Sequence, residues 1–272
     1  MQSTFTAERI WSVHQRVGEL APLVQNLSNL VVQYDTAQAI AAVGGTQLTL
    51  LAREEAEAVA GIAQALVLNS GTLDSHWLEA AQRALDVAVA RGTPWLLDPV
   101  AAGLTPFRDE QLRGLLQRGP QVIKGNASEI LTLAGQARGG HGADSRHSVS
   151  QAMLAARSLA RARNCVVVVS GPRDYLCDAE RAVELANGQP LLGRMIGSGC
   201  MLGAVLGGYL AVEPDSLLAC TAGVACFTVA GELACERASG PGSLKPQFFD
   251  ALFQLRADDL AQRLKVLQPE SA

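Results

Sequence analysis

Four short apolar runs, each ending in polar or turn-forming residues, constrain the fold of this 272-residue chain more than any other feature. They are ALVLNSGT (65–72), PWLLDPVAAG (94–103), QVIKGNASE (121–129) and CVVVVSGP (165–172). Runs of this kind are typical of parallel strands that are buried on both faces. Helical patterns separate them, such as the one that begins at the predicted N-cap Asp74 and ends at Gly92.

The alternation of strands and helices predicts right-handed β-α-β crossovers. We therefore expect an α/β fold with three layers, in which helices flank a mostly parallel central sheet. Residues 174–192 differ and indicate a hairpin at the sheet edge, turning near Asp178–Ala179 or near Asn187–Gly188. After Cys200 the pattern is almost wholly helical. No repeat or linker interrupts it, so residues 1–272 are expected to form a single domain.

Composition and charge exclude several classes of function. The net charge of −4 has no basic stripe, and aromatic residues do not alternate with arginines, so no nucleic-acid partner is expected. The six cysteines form no C-x-x-C pair, and residues 1–11 lack a signal-peptide pattern, which favours a reduced, cytoplasmic protein. The apolar stretch 195–212 contains five glycines and is too short to span a membrane, so a buried helix is expected there.

Polar side chains mark the carboxyl ends of the predicted strands. These residues are Asn69, Asp98, Lys124, Asn126 and Ser170. In open α/β sheets, ligands bind along this edge. His141 and His147 flank a glycine-rich loop, but their spacing matches no metal motif, and we expect them on a loop surface.

The sequence GSGC at 197–200 predicts a turn that leads into a helix. Gly197, Ser198 and Gly199 would leave backbone N–H groups unpaired at the positive end of the helix dipole, which makes an anion site. A thiol at that position would have a lowered pKa, so Cys200 is expected to be partly thiolate and able to act as a base or nucleophile. The alternative is a glycine turn beside a buried cysteine.

The sequence GNASE supplies a second candidate element. Asn126 and Glu129 share a helical face and could hold water-ligated Mg²⁺ against phosphates, with Asp98 adding a further charge. The alternative is a capping box in which the two residues satisfy each other's backbone. Lys124 could face the phosphates as a point charge, or could be a solvated lysine at a strand end. Neither G-x-G-x-x-G nor a P-loop motif is present, so phosphate chemistry would need another architecture.

Four segments together resemble the hydroxyethylthiazole kinases of the ribokinase-like superfamily. They are TPWLLDPVAAG, IKGNASEILTLAG, GSGCMLGAVLGGYLA and GPGSLKPQFFDAL, colinear within residues 20–258. The resemblance implies one ribokinase-like kinase domain that transfers the γ-phosphoryl group of ATP to the primary alcohol of 4-methyl-5-(2-hydroxyethyl)thiazole, a thiamine-salvage reaction. It also implies dependence on Mg²⁺ and a homotrimer with active sites at the subunit interfaces.

The resemblance assigns roles to positions of this chain. Cys200 matches the catalytic cysteine, beside the anion hole of Gly197, Ser198 and Gly199. Lys124 and Ser170 match ATP-binding positions. Asn29, Thr49 and Gly197 match substrate-contacting positions, and Asp98, Asn126 and Glu129 match the Mg²⁺–phosphate region.

Several departures from the family pattern keep alternatives open. The segment GGTQLT replaces GASPxM and puts Thr49 where a methionine is usual, QNLSN replaces HCxTN, and SGPRDY replaces TGExDY. Lys124 replaces an arginine and lacks its planar fork. The polar Thr49 favours a kinase for a different small hydroxyalkyl heterocycle, and the altered positions together allow a non-catalytic small-molecule binder. A dehydratase on the same scaffold fits the cysteine at position 200 poorly.

Overall fold

A computed structural model describes residues 5–136 and 149–267 of the chain, so His141 and His147 lie outside it. Its strands are β1 (Leu23–Leu27), β2 (Thr46–Leu48), β3 (Ala65–Asn69), β4 (Trp95–Asp98), β5 (Val122–Asn126), β6 (Val166–Ser170), β7 (Asp174–Cys177), β8 (Ala182–Leu185) and β9 (Val266–Leu267). Its helices are α1 (Ala7–Leu20), α2 (Gln33–Ala42), α3 (Ala56–Ala60), α4 (Ser75–Arg91), α5 (Pro106–Leu116), α6 (Ala127–Leu133), α7 (Val149–Arg163), α8 (Ser198–Leu210), α9 (Ser216–Arg237), α10 (Pro241–Gln254) and α11 (Ala257–Arg263).

The strands form one twisted sheet in the order β2-β1-β3-β4-β5-β6-β7-β8-β9. Strands β1 to β6 are parallel, and the last three strands pair antiparallel. The hairpin turns between Cys177 and Ala182, at the first of the two positions predicted from sequence. The predicted α/β architecture, with a mostly parallel sheet, is confirmed.

Helices cover both faces of the sheet and give three layers. Val24, Val67, Leu96 and Val168 point to one face, where they pack in a core with residues of α1, α2, α8, α9 and α10. Their neighbours along each strand point to the opposite face, against α3 to α7. This alternation explains why the central strands are continuous apolar runs, because both faces are buried.

Two helices of the first layer are apolar around their whole circumference. α9 is long and apolar enough to cross a membrane, but 94% of its apolar window is buried inside the molecule, as in the core helix of a globular protein. α8 begins at Ser198 and is buried from Met201 to Leu210, as expected for the stretch 195–212. A helix without a polar face belongs in a core when it has no lipid around it.

A row of glycines lets α8 lie directly on the sheet. Gly199, Gly203 and Gly207 are four residues apart and therefore share one face of the helix. A Cβ atom at Gly207 would lie 2.6 Å from Val67 Cγ2, and one at Gly203 would lie 2.9 Å from Asp98 Oδ2. Any larger residue would lift the helix, so the glycines fix how closely its N-terminus approaches the strand ends.

Candidate active site

A line of buried polar side chains crosses the carboxyl ends of strands β1, β3, β4 and β5. Asn29 Nδ2 donates to Asn69 Oδ1 at 2.8 Å, and Asn69 Nδ2 donates to Asp98 Oδ2 at 2.7 Å. Lys124 Nζ lies 3.4 Å from Asp98 Oδ1. None of the four is more than 4% exposed. The parallel register brings Asn69 beside Asp98, which is why residues far apart in sequence meet here.

The N-terminus of α8 lies over this line. Gly197 is its N-cap and has φ +86°, a left-handed conformation that favours glycine. The N–H of Ser198 donates to the Met195 carbonyl at 3.1 Å, so this group is already engaged. No acceptor among the described residues takes the N–H groups of Gly199 and Cys200. The predicted anion hole therefore has two open donors in its first helical turn.

Cys200 Sγ accepts a hydrogen bond from Asn29 Nδ2 at 3.4 Å, which joins the thiol to the polar line. The prediction of a lowered thiol pKa is wrong. Burial raises the pKa of the Cys200 thiol, and the nearby Asp98 carboxylate raises it further, more than Lys124 lowers it. The helix N-terminus contributes only about half a unit charge, which does not compensate for burial beside a carboxylate. Cys200 is a neutral thiol at pH 7.

Asp98 and Lys124 form a buried ion pair. Burial raises the pKa of Asp98 to about 6, while the charge of Lys124 opposes that rise. Burial also acts against the ammonium, but the carboxylates of Asp98 and Glu129 outweigh it, so the pKa of Lys124 is raised and it stays charged. Lys124 is thus not the solvated strand-end lysine that the sequence left as an alternative. A Cβ atom at Gly199 would lie 3.2 Å from Lys124 Nζ. The ammonium lies directly beneath the start of α8.

Asn126 and Glu129 form the capping box that the sequence left as an alternative. Asn126 Oδ1 accepts the Glu129 N–H at 2.9 Å, and Glu129 Oε2 accepts the Asn126 N–H at 2.8 Å. The second carboxylate oxygen, Oε1, accepts the N–H of Ala101 at 2.9 Å. Glu129 therefore ties the start of α6 to the loop after β4. The same contacts hold its carboxylate close enough to Asp98 to raise the pKa of that group.

A cavity of about 440 Å³ opens beside the start of α8. Its walls come from the β6–β7 turn, the segment before α8, α8 itself and α9, and they include Ser170, Asp174, Gly188, Ser198, Gly199 and Phe227. Ser170 donates its hydroxyl to the Gly125 carbonyl at 3.3 Å. A second opening, of about 510 Å³, lies near Asn164 and Asp178 at the amino ends of the strands, away from Cys200. Of these two openings, the first adjoins the candidate residues.

Thr49 lies just beyond the edge strand β2, two strands away from the strand that carries Asn69. Gln47 Nε2 donates to Thr49 Oγ1 at 2.8 Å, and Gln47 Oε1 accepts from Asn26 Nδ2 at 2.9 Å. The sequence prediction placed Thr49 at the site but gave no role to Asn26, Gln47 or Asn69. Asn69 stood among the polar strand ends, which was the signal for it; the other two carry no local motif.

The hydroxyethylthiazole kinase family model matches residues 14–258. The chain belongs to the hydroxyethylthiazole kinase family. The hydroxyethylthiazole kinases of Granulibacter bethesdensis and Tolumonas auensis are each 42% identical to it, over 94% and 92% of this chain and 93% and 94% of theirs. The family resemblance and the kinase class predicted from sequence are confirmed.

Solved structures agree with this membership. The structure of the hydroxyethylthiazole kinase protein from Pyrococcus horikoshii OT3 superposes with a TM-score of 0.90 at 36% identity, covering 97% of this chain and 100% of that one. The pyridoxal kinase of Staphylococcus aureus has a TM-score of 0.62 at 16% identity over 78% of this chain and 88% of that one, and supports the fold alone. The ribokinase-like architecture is confirmed for this hydroxyethylthiazole kinase family member.

Proposed function

We propose that the protein transfers the γ-phosphoryl group of ATP to the primary alcohol of 4-methyl-5-(2-hydroxyethyl)thiazole, a step of thiamine salvage. Relatives that bear the name of this activity match nearly the whole chain. The observation that carries the proposal is the position of Cys200. Its sulfur meets the Asn29 amide at 3.4 Å, on the same helical turn as Ser198 and Gly199, which line the neighbouring cavity.

The cavity of about 440 Å³ is the proposed nucleotide site. Its volume is within the range of small-molecule pockets, and Ser170 lies in its wall. The phosphate end would lie at the start of α8, where the N–H groups of Gly199 and Cys200 are open and the helix dipole is positive. Lys124, charged and beneath Gly199, would add a point charge toward the same phosphates.

The proposed cofactor is Mg²⁺, and the donor set suits it. Asp98 and Glu129 offer carboxylate oxygens, which are hard ligands, and each of these oxygens has a further lone pair beyond its present hydrogen bond. Since Asn126 and Glu129 are held in the capping box, they would contact the ion through its water ligands. When bound, Mg²⁺ supplies positive charge to the phosphates during transfer.

Cys200 would act as an orienting group for the attacking alcohol. Phosphoryl transfer has a loose transition state, so positioning and charge stabilisation supply most of the rate, and a strong base is dispensable. A neutral thiol, fixed by Asn29, can accept a hydrogen bond from the alcohol and orient its oxygen toward the phosphorus. The alcohol proton would pass to an oxygen of the transferred phosphoryl group as the bond to phosphorus forms, so the thiol keeps its own proton. Gly197 and Asn29 would hold the alcohol beside it.

The proposed working unit is a cytoplasmic homotrimer of chains that each act as one kinase domain over residues 1–272. Exposed apolar side chains surround the start of α8, which supports a neighbouring subunit there. Leu30, Val31, Tyr34 and Ile196 are between 67% and 75% exposed. Patches of this kind on a protein surface mark interaction sites.

A second candidate function is a kinase for a different small hydroxyalkyl heterocycle, favoured by the polar Gln47 and Thr49 beside the site. The test measures ADP formation from Mg²⁺–ATP with no acceptor, with the hydroxyethylthiazole and with other heterocyclic alcohols. We expect turnover only with an alcohol and fastest with the thiazole. Faster turnover with another ring would support the second candidate. Nucleotide binding without turnover on any alcohol would mean a non-catalytic binder.

A further inference from the structure

A line of side chains that starts on β1 fixes the hydrogen-bonding direction of the Thr49 hydroxyl. Asn26 Nδ2 donates to Gln47 Oε1, so the amide nitrogen of Gln47 points to the other side. There it donates to Thr49 Oγ1 at 2.8 Å and to Thr36 Oγ1 at 3.1 Å. Because Thr49 Oγ1 accepts from the protein, its own proton remains available for an acceptor.

The two threonines differ in what takes this proton. Thr36 Oγ1 donates to the Gln33 carbonyl at 2.9 Å, so Thr36 is satisfied within the protein. For Thr49, no acceptor within residues 5–136 and 149–267 is in hydrogen-bonding distance of the hydroxyl beyond its bond from Gln47. Thr49 is half-buried, so a bound molecule can reach it. One oriented, unused donor therefore lies just beyond β2.

The surroundings of this donor suit a flat apolar ring. β2 pairs with β1 in parallel, Gln25 opposite Leu48, so Thr49 lies beside the strand that leads to Asn29 and the Cys200 thiol. Thr49 is level with Asn26, so Asn29 lies one strand spacing of about 4.8 Å to the side and three residues, about 10 Å, farther along β1. A heteroaromatic ring with a hydroxyethyl arm, hydrogen-bonded at both ends, bridges a gap of about this length. The exposed side chains of Leu30 and Val31 follow β1 and add apolar surface.

We propose that Thr49 selects the acceptor by donating a hydrogen bond to an unprotonated sp² nitrogen of the acceptor's heteroaromatic ring. This inference rests on the proposed phosphorylation of a hydroxyalkyl heterocycle at Cys200. A thiazole or a pyridine offers such a lone pair, whereas a thiophene of the same shape does not. A site that is built to hydrogen-bond one ring atom discriminates against rings that lack it, because the donor is then left unpaired. Thr49 is thus a specificity-determining residue that does not touch the reacting oxygen.

The experiment uses the purified full chain and compares kcat/KM for two alcohols of the same shape. They are 5-(2-hydroxyethyl)thiazole and 2-(2-hydroxyethyl)thiophene. We expect the wild-type protein to prefer the thiazole about tenfold, as one hydrogen bond at a half-buried site allows. Thr49→Val should lose this preference by slowing the thiazole reaction alone. Thr49→Ser, which keeps the hydroxyl, should retain the preference. Thr46→Val, the same change at an exposed position of β2, is the matched control and should behave as wild type.

Gln47→Glu provides a second and independent test. A carboxylate at position 47 accepts the Thr49 proton, so the hydroxyl reverses its direction and no longer serves the ring. The preference for thiazole should fall about tenfold although Thr49 is present. A preference that survives in both Thr49→Val and Gln47→Glu, or an equal loss on both alcohols, would overturn the inference while phosphorylation itself stands. Wild-type protein that transfers phosphate to neither alcohol would overturn the proposed function, and this inference with it.

Discussion

At the scale of single residues, the neutral state of Cys200 decides what the thiol can do. Replacing it with alanine removes an orienting group and leaves the open N–H groups and Lys124 in place. We therefore expect Cys200→Ala to lower kcat about a hundredfold and to retain measurable turnover. Cys200→Asp should be active, since a carboxylate likewise accepts a hydrogen bond from the alcohol. Steady-state kinetics on both variants test this, and complete loss in a folded Cys200→Ala protein would indicate an obligatory covalent or basic role.

The buried Asp98 predicts how the rate depends on pH. Its pKa of about 6, raised by burial, means that the carboxylate is ionised at pH 7 and becomes protonated as the pH falls through 6. We expect kcat/KM to fall about tenfold per pH unit below 6, because a protonated Asp98 in the free enzyme no longer serves Mg²⁺ or Lys124. The fall is not caused by unfolding: a raised folded-state pKa means that protonation of Asp98 favours the fold.

A matched variant identifies the group responsible for this pH dependence. Burial raises the pKa of Asp174, in the cavity wall, to about 7. Asp174→Asn should leave the decline below pH 6 in place. A rate that stays constant from pH 7 to pH 5 in the wild-type protein would show that Asp98 is not needed in its ionised form.

Sequence reasoning at this scale located the candidate residues better than their chemistry. The glycine turn placed Cys200 at a helix start, and the strand ends placed Asp98 and Lys124 on one edge. The direction of the thiol pKa was wrong because it depends on burial and on Asp98, which lies 102 positions away in the chain and near only in the fold. The role of Asn69 could not be predicted from the sequence either, since it follows from hydrogen bonds to two partners on other elements, Asn29 and Asp98.

At the scale of elements, the start of α8 depends on Gly197. A Cβ atom there would lie 2.3 Å from Val32 Cγ1, and φ is +86°. Gly197→Ala should therefore shift the first turn of α8 and lower kcat/KM more than tenfold, with a lower melting temperature. Gly114→Ala in α5 is the control, since nothing lies within 4 Å of the added Cβ atom. Equal activity in the two variants would contradict the dependence of the site on this turn.

Strands were predictable where both faces are apolar and not where polar side chains have distant partners. Nearly all the apolar residues of the runs that became β3 to β6 are buried in the cores on the two faces of the sheet. β1 carries Gln25 and Asn26 in its middle, which weakens the apolar signal. Both are buried, and their amide nitrogens donate to the Ala56 carbonyl and to Gln47, respectively. These pairings come from other elements, so no local pattern announces them.

At the scale of the whole molecule, the exposed apolar side chains near the site predict an assembly. We expect light scattering to give three chains per particle. Tyr34→Glu should yield smaller particles and a lower kcat/KM for the alcohol, because a charge at a 74% exposed apolar position would prevent burial against a neighbour. Leu154→Glu, on α7 in the opposite layer, changes an equally apolar exposed position and should leave both properties unchanged. A monomeric and fully active wild-type protein would contradict the trimer.

The glycine row of α8 bears on how proteins with this architecture can diversify. Gly199 lies against Lys124, Gly203 against Asp98, and Gly207 against Val24 and Val67, so the helix has no spare room on that side. Substitutions on this face of α8 are therefore not a route to a new acceptor specificity. An added methyl group there would displace the Cys200 thiol and the Asp98–Lys124 ion pair together. The edge strand β2 tolerates amino-acid substitutions without displacing α8. Related enzymes can therefore change their acceptor specificity at β2 while the residues that bind phosphate stay the same.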